Sequence, residues 1–391
     1  MLFRSDDINA GHSSIDFSGN INGSTINNLT LEAYGGGAID STLLGDLTLT
    51  GNLTLHADGW SHDTLGTHES NIQLNANLAN TIQNISAVAC NDASISLELH
   101  NSFIVDGNIE IASYHQASID VHFNDAITIN DGNLSVVAEG ISIEQSPPPL
   151  GFETWENTLG TSDVTAIANV HLRLSNGSTI QNLDVSQAYL GESNVSITAG
   201  NYAVENINVT TYNDDSPDWG GGFASLDLGP GHVDVTGNIL VVGYSNEHAN
   251  LTGNIAGSNV NEISIYSSFE SAEATANLSG SFNAEKISIS SEFFGSANLT
   301  VAGSLTVDDI QISSFINSDS KLVLDGNIST DGNISIFAVD SSSSLSADYI
   351  YFNHANINIF GFGLDSNLIF NHQALAGVIN NISLDMSHGA S

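Results

Sequence analysis

One pattern recurs along the whole chain and restricts the folds open to it: two apolar residues flank a single residue, about every 24 residues. A strand with one buried face points alternate side chains inward, so such a pair marks a buried strand face. The pairs are Leu29/Leu31, Leu53/Leu55, Ile85/Ala87, Ile109/Ile111, Leu134/Val136, Leu183/Val185, Ile207/Val209, Ile239/Val241, Ile263/Ile265, Ile287/Ile289, Ile310/Ile312, Ile334/Ile336, Ile357/Ile359 and Ile382/Leu384. A repeated buried strand indicates parallel strands stacked turn upon turn.

The stretch DGNISTDGNISIF, residues 325–337, shows how one turn closes. Gly after Asp marks a tight corner, because Gly adopts positive φ without steric cost. Two such corners, six residues apart, predict a short third side between two longer strands. We therefore predict one all-β domain over residues 1–391, a right-handed parallel β-solenoid of about 14 rungs with ~24 residues and three sides each. A fainter second strand is expected at ASISL 93, ASIDV 117, ANLT 249, ANLS 276 and ANLT 297, followed by corners at Gly253, Gly280, Gly303 and Gly326.

The residue before each apolar pair is usually Asn. It is Asn28, Asn52, Asn84, Asn108, Asn133, Asn182, Asn206, Asn238, Asn333, Asn356 and Asn381. The three exceptions are Glu262, Lys286 and Asp309. Stacked amides can hydrogen-bond along a solenoid, and Asn tolerates left-handed backbone at a corner. We expect this Asn ladder to link the rungs, which accounts for its many N-x-[ST] sequons without glycosylation.

Charge is strongly one-sided, with 4 Lys plus Arg against 44 Asp plus Glu and a formal net charge of −40. Such a surface repels nucleic acids and anionic membranes. It attracts divalent cations, so we expect loosely bound Ca²⁺ at surface carboxylates and no required cofactor. No stretch reaches the apolar length of a membrane span, and no secretion signal is visible in MLFRSDD. The single Cys90 rules out a disulfide framework within the chain.

The G-N-[IL]-x-[IV] rungs, the Ser, Asn and Thr-rich faces and the scarcity of Lys resemble the β-helix repeats of large bacterial surface proteins, the filamentous-haemagglutinin-like adhesins and autotransporter passengers. The likeness covers essentially the whole chain, although the 24-residue rung is closer to pectate-lyase-like coils. It implies a secreted protein at the cell surface that mediates attachment or builds matrix. We expect a non-enzymatic extracellular structural or adhesive protein.

Two alternatives stay open. Solenoid ends are adhesive strand edges, so the chain is either a segment of a longer protein or a fibre subunit that stacks end to end. The other alternative is a carbohydrate-active enzyme, a lyase or hydrolase on the same scaffold. A lyase of this kind needs Arg or Lys, and the four basic residues Arg4, Arg173, Lys286 and Lys321 are scattered. A hydrolase needs only two facing carboxylates.

Three ladder steps are too long, which predicts loop insertions near 56–69, 145–163 and 212–222. Insertions in solenoids often form the binding face, and Trp can stack on a sugar or anchor a protein interface. The candidate partner-binding residues are Trp60, Trp155, Trp219, Asp214, Asp215 and Asp218. Weak metal candidates are His56, His62 and His68 in the first loop. The expected partner is a glycan or a cell-surface molecule of a host.

Overall fold

The computed structural model describes residues 2–6, 14–16, 18–20, 22–62, 66–91, 93–114, 117–130, 132–139, 169–188, 192–197, 201–212, 223–245, 247–269, 271–363 and 367–387. Every regular element within these ranges is a β-strand. Among the same residues there is no helix of the length and apolarity needed to cross a membrane.

The strand bounds in the first half of the chain are as follows. They are β1 Leu2–Asp6, β2 Ser14–Asp16, β3 Gly19–Asn20, β4 Ser24–Ile26, β5 Leu29–Tyr34, β6 Ala38–Leu49, β7 Asn52–Asp58, β8 Trp60–His62, β9 Gly66–His68, β10 Asn71–Ile82, β11 Asn84–Cys90, β12 Ser94–His100, β13 Phe103–Val105, β14 Ile109–Tyr114, β15 Ser118–Phe123, β16 Ile127–Ile129, β17 Asn133–Glu139 and β18 Asn169–Arg173.

The remaining strands are generally longer, because several run through a corner without a break. They are β19 Thr179–Ala188, β20 Glu192–Ile197, β21 Tyr202–Tyr212, β22 Phe223–Val235, β23 Asn238–Tyr244, β24 His248–Asn254, β25 Asn259–Ser268, β26 Glu273–Ser279, β27 Phe282–Glu292, β28 Ser296–Ala302, β29 Leu305–Phe315, β30 Asp319–Thr330, β31 Asn333–Val339, β32 Ser342–Phe362 and β33 Asn367–Ser387.

The chain divides into two compact units. Unit 1 comprises Met1–Leu174 and Gln187–Val195, and unit 2 comprises Ser175–Ser186 and Ser196–Ser391. Both units are parallel β-solenoids, which confirms the predicted fold class. The expectation of one domain without an internal boundary stays a prediction.

Unit 1 winds around three sides. Side A, which carries the predicted apolar pairs, stacks β1, β5, β7, β11, β14 and β17 in parallel. Side B stacks β2, the first part of β6, the first part of β10, β12, β15 and β18. The short side C stacks β4, the ends of β6 and β10, β13 and β16. Six strands on side A bound five closed turns.

Unit 2 repeats this arrangement. Side A stacks β21, β23, β25, β27, β29, β31, the end of β32 and the end of β33. These eight strands bound seven closed turns, so the registers of the two units describe about 12 turns in all, slightly fewer than the predicted 14 rungs. Turns are counted between successive pairs, and the pair at Leu183 lies in β19, part of which adjoins residues outside the described ranges.

The core consists of the predicted pairs. Ile263, Ile287 and Ile310 occupy successive turns in register, and each is buried. Burying one such side chain contributes about 1.5–3 kcal/mol before chain entropy is counted. The last pair differs from the rest. Ile382 is 60% and Leu384 67% exposed, because no described strand follows β33 to cover them.

The stretch that predicted the short third side behaves as expected. Residues 328–330 pair with Leu305–Val307 of the preceding turn, after a register irregularity between Leu324 and Asn327. The predicted Gly corners need one correction. A Cβ on Gly303 would lie 2.3 Å from the carbonyl oxygen of Gly280, so these two stack, whereas Gly253 pairs with Leu278, two positions earlier. Gly recurs at several corners, and spacing alone did not distinguish them.

Candidate functional site

The predicted Trp loops are only partly described. Trp60 lies in β8, which pairs antiparallel with β9 and places Trp60 opposite His68. Trp155, Trp219, Asp214, Asp215 and Asp218 lie outside the described residues, as does the 145–163 insertion. These candidates therefore stay predictions.

The metal candidates divide in the same way. His56 is half-buried, and its ring lies 5.4 Å from that of Tyr34. For His62 and His68 only the strand backbone is described. Within the described part of the chain, no group of three or more His, Cys, Asp or Glu side chains could hold a metal ion.

The Asn residues before the apolar pairs bond along both units. In unit 1 the side-chain oxygen of Asn28 accepts a hydrogen bond from the Asn52 backbone N–H at 2.8 Å, and Asn84 Nδ2 donates to Asn52 Oδ1 at 3.0 Å. Further bonds join Asn84 to Asn108 and Asn108 to Asn133. Each bond spans one turn, so the amides tie neighbouring turns together.

Unit 2 continues the pattern and shows how its exceptions fit. Bonds of 2.8–3.0 Å join Asn182 to Asn206, Asn206 to Asn238, Asn333 to Asn356 and Asn356 to Asn381. Between them, Lys286 Nζ lies 2.7 Å from Glu262 Oε1, and Asn333 donates to Asp309 from its backbone and its side chain. These columns are structural and leave no free group for chemistry.

A different feature of unit 2 stands out. The corner between sides A and B exposes large apolar side chains, Phe269 (52%), Phe293 (40%), Phe294 (56%) and Ile316 (41%). We call these four residues the aromatic corner. The Phe293 N–H donates to the carbonyl of Phe315 and the Phe294 N–H to that of Ile316, both at 3.1 Å, so the corner continues from turn to turn. The rings of Phe269 and Phe293 are parallel within 9°, with centroids 5.6 Å apart.

The backbone of the aromatic corner is left-handed. The φ angles are 68° at Phe269, 47° at Phe293, 69° at Phe294 and 53° at Ile316. For a bulky or β-branched residue such an angle is an outlier, and each one costs of order 1–3 kcal/mol. Gly or Asn would close the same corner without that cost. An observed strain of this kind motivates a functional reading of the exposed side chains.

Buried serines hold the strained backbone in place. The Ser318 hydroxyl accepts from the Phe315 N–H at 2.9 Å and lies 2.9 Å from the carbonyl oxygen of Ser291. Ser341 does the same one turn later, with the Val339 N–H at 3.0 Å and the carbonyl of Ser314 at 2.6 Å. Because these hydroxyls are buried, their bonds are shielded from water and fix the corner rigidly.

Aromatic rings extend from the corner onto side A. Phe315, Phe337 and Phe360 form a half-buried column with centroids 5.1 and 5.0 Å apart. We call these three residues the phenylalanine column. Together with the aromatic corner it makes a continuous apolar strip within unit 2, of the kind that marks an interaction surface on a soluble protein.

Carboxylates border this strip. Glu292 directly precedes Phe293 and accepts a hydrogen bond from the Tyr266 hydroxyl at 3.3 Å. Burial raises the pKa of the Tyr266 phenol, and the Glu292 charge adds to the rise. Asp319, three residues after Ile316, is exposed and its N–H bonds the carbonyl of Gly295. The corner therefore combines apolar rings with negative charge.

Sequence reasoning missed the aromatic corner because it concentrated on Trp. The available signal was Phe-Phe at 293–294, placed between an apolar pair and the next strand, where other turns carry Asn, Ser or Gly. No protein-family model matches the chain, and no curated protein or solved structure matches it either.

Proposed function

We propose that the chain is a non-enzymatic structural and adhesive solenoid that works outside the cell, with the aromatic corner as its contact surface. The carrying observation is the row of exposed Phe side chains on a backbone that disfavours them. An enzyme site concentrates polar and titratable groups in a cleft. A rigid convex row of rings instead suits adhesion, because its contact area is already ordered before binding.

The extracellular setting rests on composition and on the resemblance to bacterial surface repeats. A net charge of −40 with 4 basic residues disfavours nucleic acids and anionic membranes as targets. The regular Ser, Thr and Asn faces offer no other large apolar surface on the described strands of side A in unit 2 before the last turn.

Bead retention under flow tests this proposal. Beads coated with the purified chain would pass over neutral polysaccharides, acidic polysaccharides, basic proteins and cells. We expect retention on at least one surface, lost in the variant Phe269→Asn, Phe293→Asn, Phe294→Asn. Asn suits left-handed backbone, so this variant should fold. A matched control is Ile104→Asn, which removes an equally exposed apolar side chain from unit 1.

Retention that is indifferent to the triple variant would contradict the aromatic corner as the contact surface. Turnover of any of the polysaccharides by the purified chain would contradict the non-enzymatic assignment.

One observation favours a second candidate, a fibre subunit that stacks end to end. Ile382 and Leu384 hold ladder positions that are buried in the preceding turns, yet both are mostly exposed, and Met386 beside them is 41% exposed. A second copy that adds its own strand to β33 would cover them. Electron microscopy tests this idea: we expect filaments from the unchanged chain and none from Ile382→Asn, Leu384→Asn.

A further inference from the structure

The aromatic corner has a chemical character that narrows its partner. Its rings supply apolar contact, and Glu292, Asp319 and Asp340 supply negative charge around them. Asp340 continues the corner one turn on, since its carbonyl accepts from the Asn317 N–H at 2.7 Å, and its own φ is 45°. A partner must therefore satisfy both apolar surface and carboxylates at the spacing of a few ångströms.

Lys and Arg side chains match this combination. Each has an apolar stem that can lie against a ring and a cationic head that can reach a nearby carboxylate. Unit 2 has little positive charge of its own to meet this need. Of its two lysines, Lys286 bonds Glu262, and Lys321 lies on side B beyond Asp319.

A neutral glycan fits less well. Sugars lie flat on an open ring face and need polar groups that orient their hydroxyls. The parallel rings of Phe269 and Phe293 turn one face of each toward the other, and Phe carries no polar atom. An anionic partner is opposed by the border of carboxylates and by the net charge of −40.

We propose that the aromatic corner binds a basic, apolar protein segment, in which Lys or Arg side chains alternate with aliphatic ones. This inference rests on the proposed function and names the partner class of the same surface. The aliphatic side chains contact the exposed rings, and the cationic heads pair with Glu292, Asp319 and Asp340. Oppositely charged borders speed the encounter, and the desolvated rings provide the anchoring contact.

Peptide binding to the intact chain tests the proposal. The probe is a fluorescent synthetic peptide of alternating Leu and Lys, followed by anisotropy, with matched peptides in which Lys is replaced by Gln or Leu by Ser. We expect the Leu/Lys peptide to bind at least about tenfold more tightly than either relative, because both contacts are needed. Binding should weaken as salt rises past the ionic strength at which the Debye length is about 8–10 Å.

Two pairs of variants separate specific docking from general attraction to an acidic protein. Phe269→Asn, Phe293→Asn, Phe294→Asn should weaken binding about tenfold, and Ile104→Asn should not. Glu292→Gln, Asp319→Asn should weaken it, whereas Asp40→Asn, Glu110→Gln removes the same charge from exposed sites in unit 1 and should leave it unchanged. Circular dichroism melts would verify that each variant is folded.

Equal affinity for the Leu/Lys and Leu/Gln peptides would overturn the proposal, as would equal losses from the two carboxylate variants. If beads are retained on a neutral polysaccharide through the aromatic corner while the Leu/Lys peptide does not bind, the proposed function stands and this inference fails. If the corner variants change neither retention nor peptide binding, both fail.

Discussion

The same corner, between sides A and B, is built differently in the two units. In unit 1 the left-handed positions hold Gly35, Gly36 and Asn91. In unit 2 they include Phe269, Phe293, Phe294 and Ile316 with similar φ angles. Both units use a buried serine to fix the turn, since the Ser70 hydroxyl accepts from the Gly36 N–H and donates to the Asp58 carbonyl just as Ser318 serves the later corner.

This difference separates what the coil requires from what the protein adds. The coil requires a left-handed residue and a hydrogen-bonded turn, and Gly or Asn supplies both at little cost. Large apolar residues at that place lose conformational energy and expose apolar area to water. Their presence in unit 2 therefore indicates a role outside the coil, and the following experiments test the comparison from the largest expected effect to the smallest.

The ladder should be equally important in both units. Ile109 and Ile287 are both fully buried on side A, one in each unit. Replacing either with Ala should lower the free energy of unfolding by about 2–5 kcal/mol, because it leaves a cavity as well as losing buried area. Urea unfolding followed by circular dichroism measures the loss. A loss below about 1 kcal/mol in one unit only would mean that the cores differ and the comparison is not between like coils.

Exchanging the corner residues should move stability in opposite directions. Asn91→Phe in unit 1 puts a bulky residue at φ 51° and removes the bond from Asn91 Nδ2 to Asp58 Oδ1 at 2.8 Å. We expect a loss of about 2–3 kcal/mol. Phe293→Asn in unit 2 should instead raise the free energy of unfolding by up to about 1 kcal/mol. Urea titration measures both, and a stabilising Asn91→Phe would refute the strain argument.

The serine staples should matter in both units, but only one should affect binding. Ser70→Ala and Ser318→Ala each leave a backbone N–H of the corner without its hydroxyl partner, at a cost of about 1–2 kcal/mol. Ser318→Ala should also weaken Leu/Lys peptide binding, since the rings are then less rigidly held. Ser70→Ala should leave peptide affinity as it was. If both variants weaken binding alike, the aromatic corner has no special part in it.

Calcium should act on the solenoid charge rather than on the corner. With a net charge of −40, carboxylates on neighbouring turns repel one another within the ~8–10 Å Debye length. We expect millimolar Ca²⁺ to raise the melting temperature by a few degrees over chelator, the order of a 1 kcal/mol change or less. Differential scanning calorimetry should find the same rise for the Phe269→Asn, Phe293→Asn, Phe294→Asn variant. An unchanged melting temperature would argue against loose Ca²⁺ binding.

The sequence by itself determined the coil. Alternation within a strand is a local property, so pairs such as Ile263/Ile265 identify a buried face without knowledge of any contact. Repetition of that pair about every 24 residues then leaves stacking in parallel as the way to bury it, and the register joins Ile263 to Ile287 as the spacing predicts. The Asn before each pair was readable for the same reason, because it recurs at the same point of every turn.

Only the tertiary structure decided which residues form the candidate site. Whether Phe293 is buried or exposed depends on the φ of its own corner and on the turn above it, and neither follows from periodicity. Two Phe residues beside a strand read equally well as core. Likewise Ile382 matches every other ladder position in sequence, yet it is 60% exposed, because burial of a solenoid residue requires a neighbouring turn as well as an inward direction.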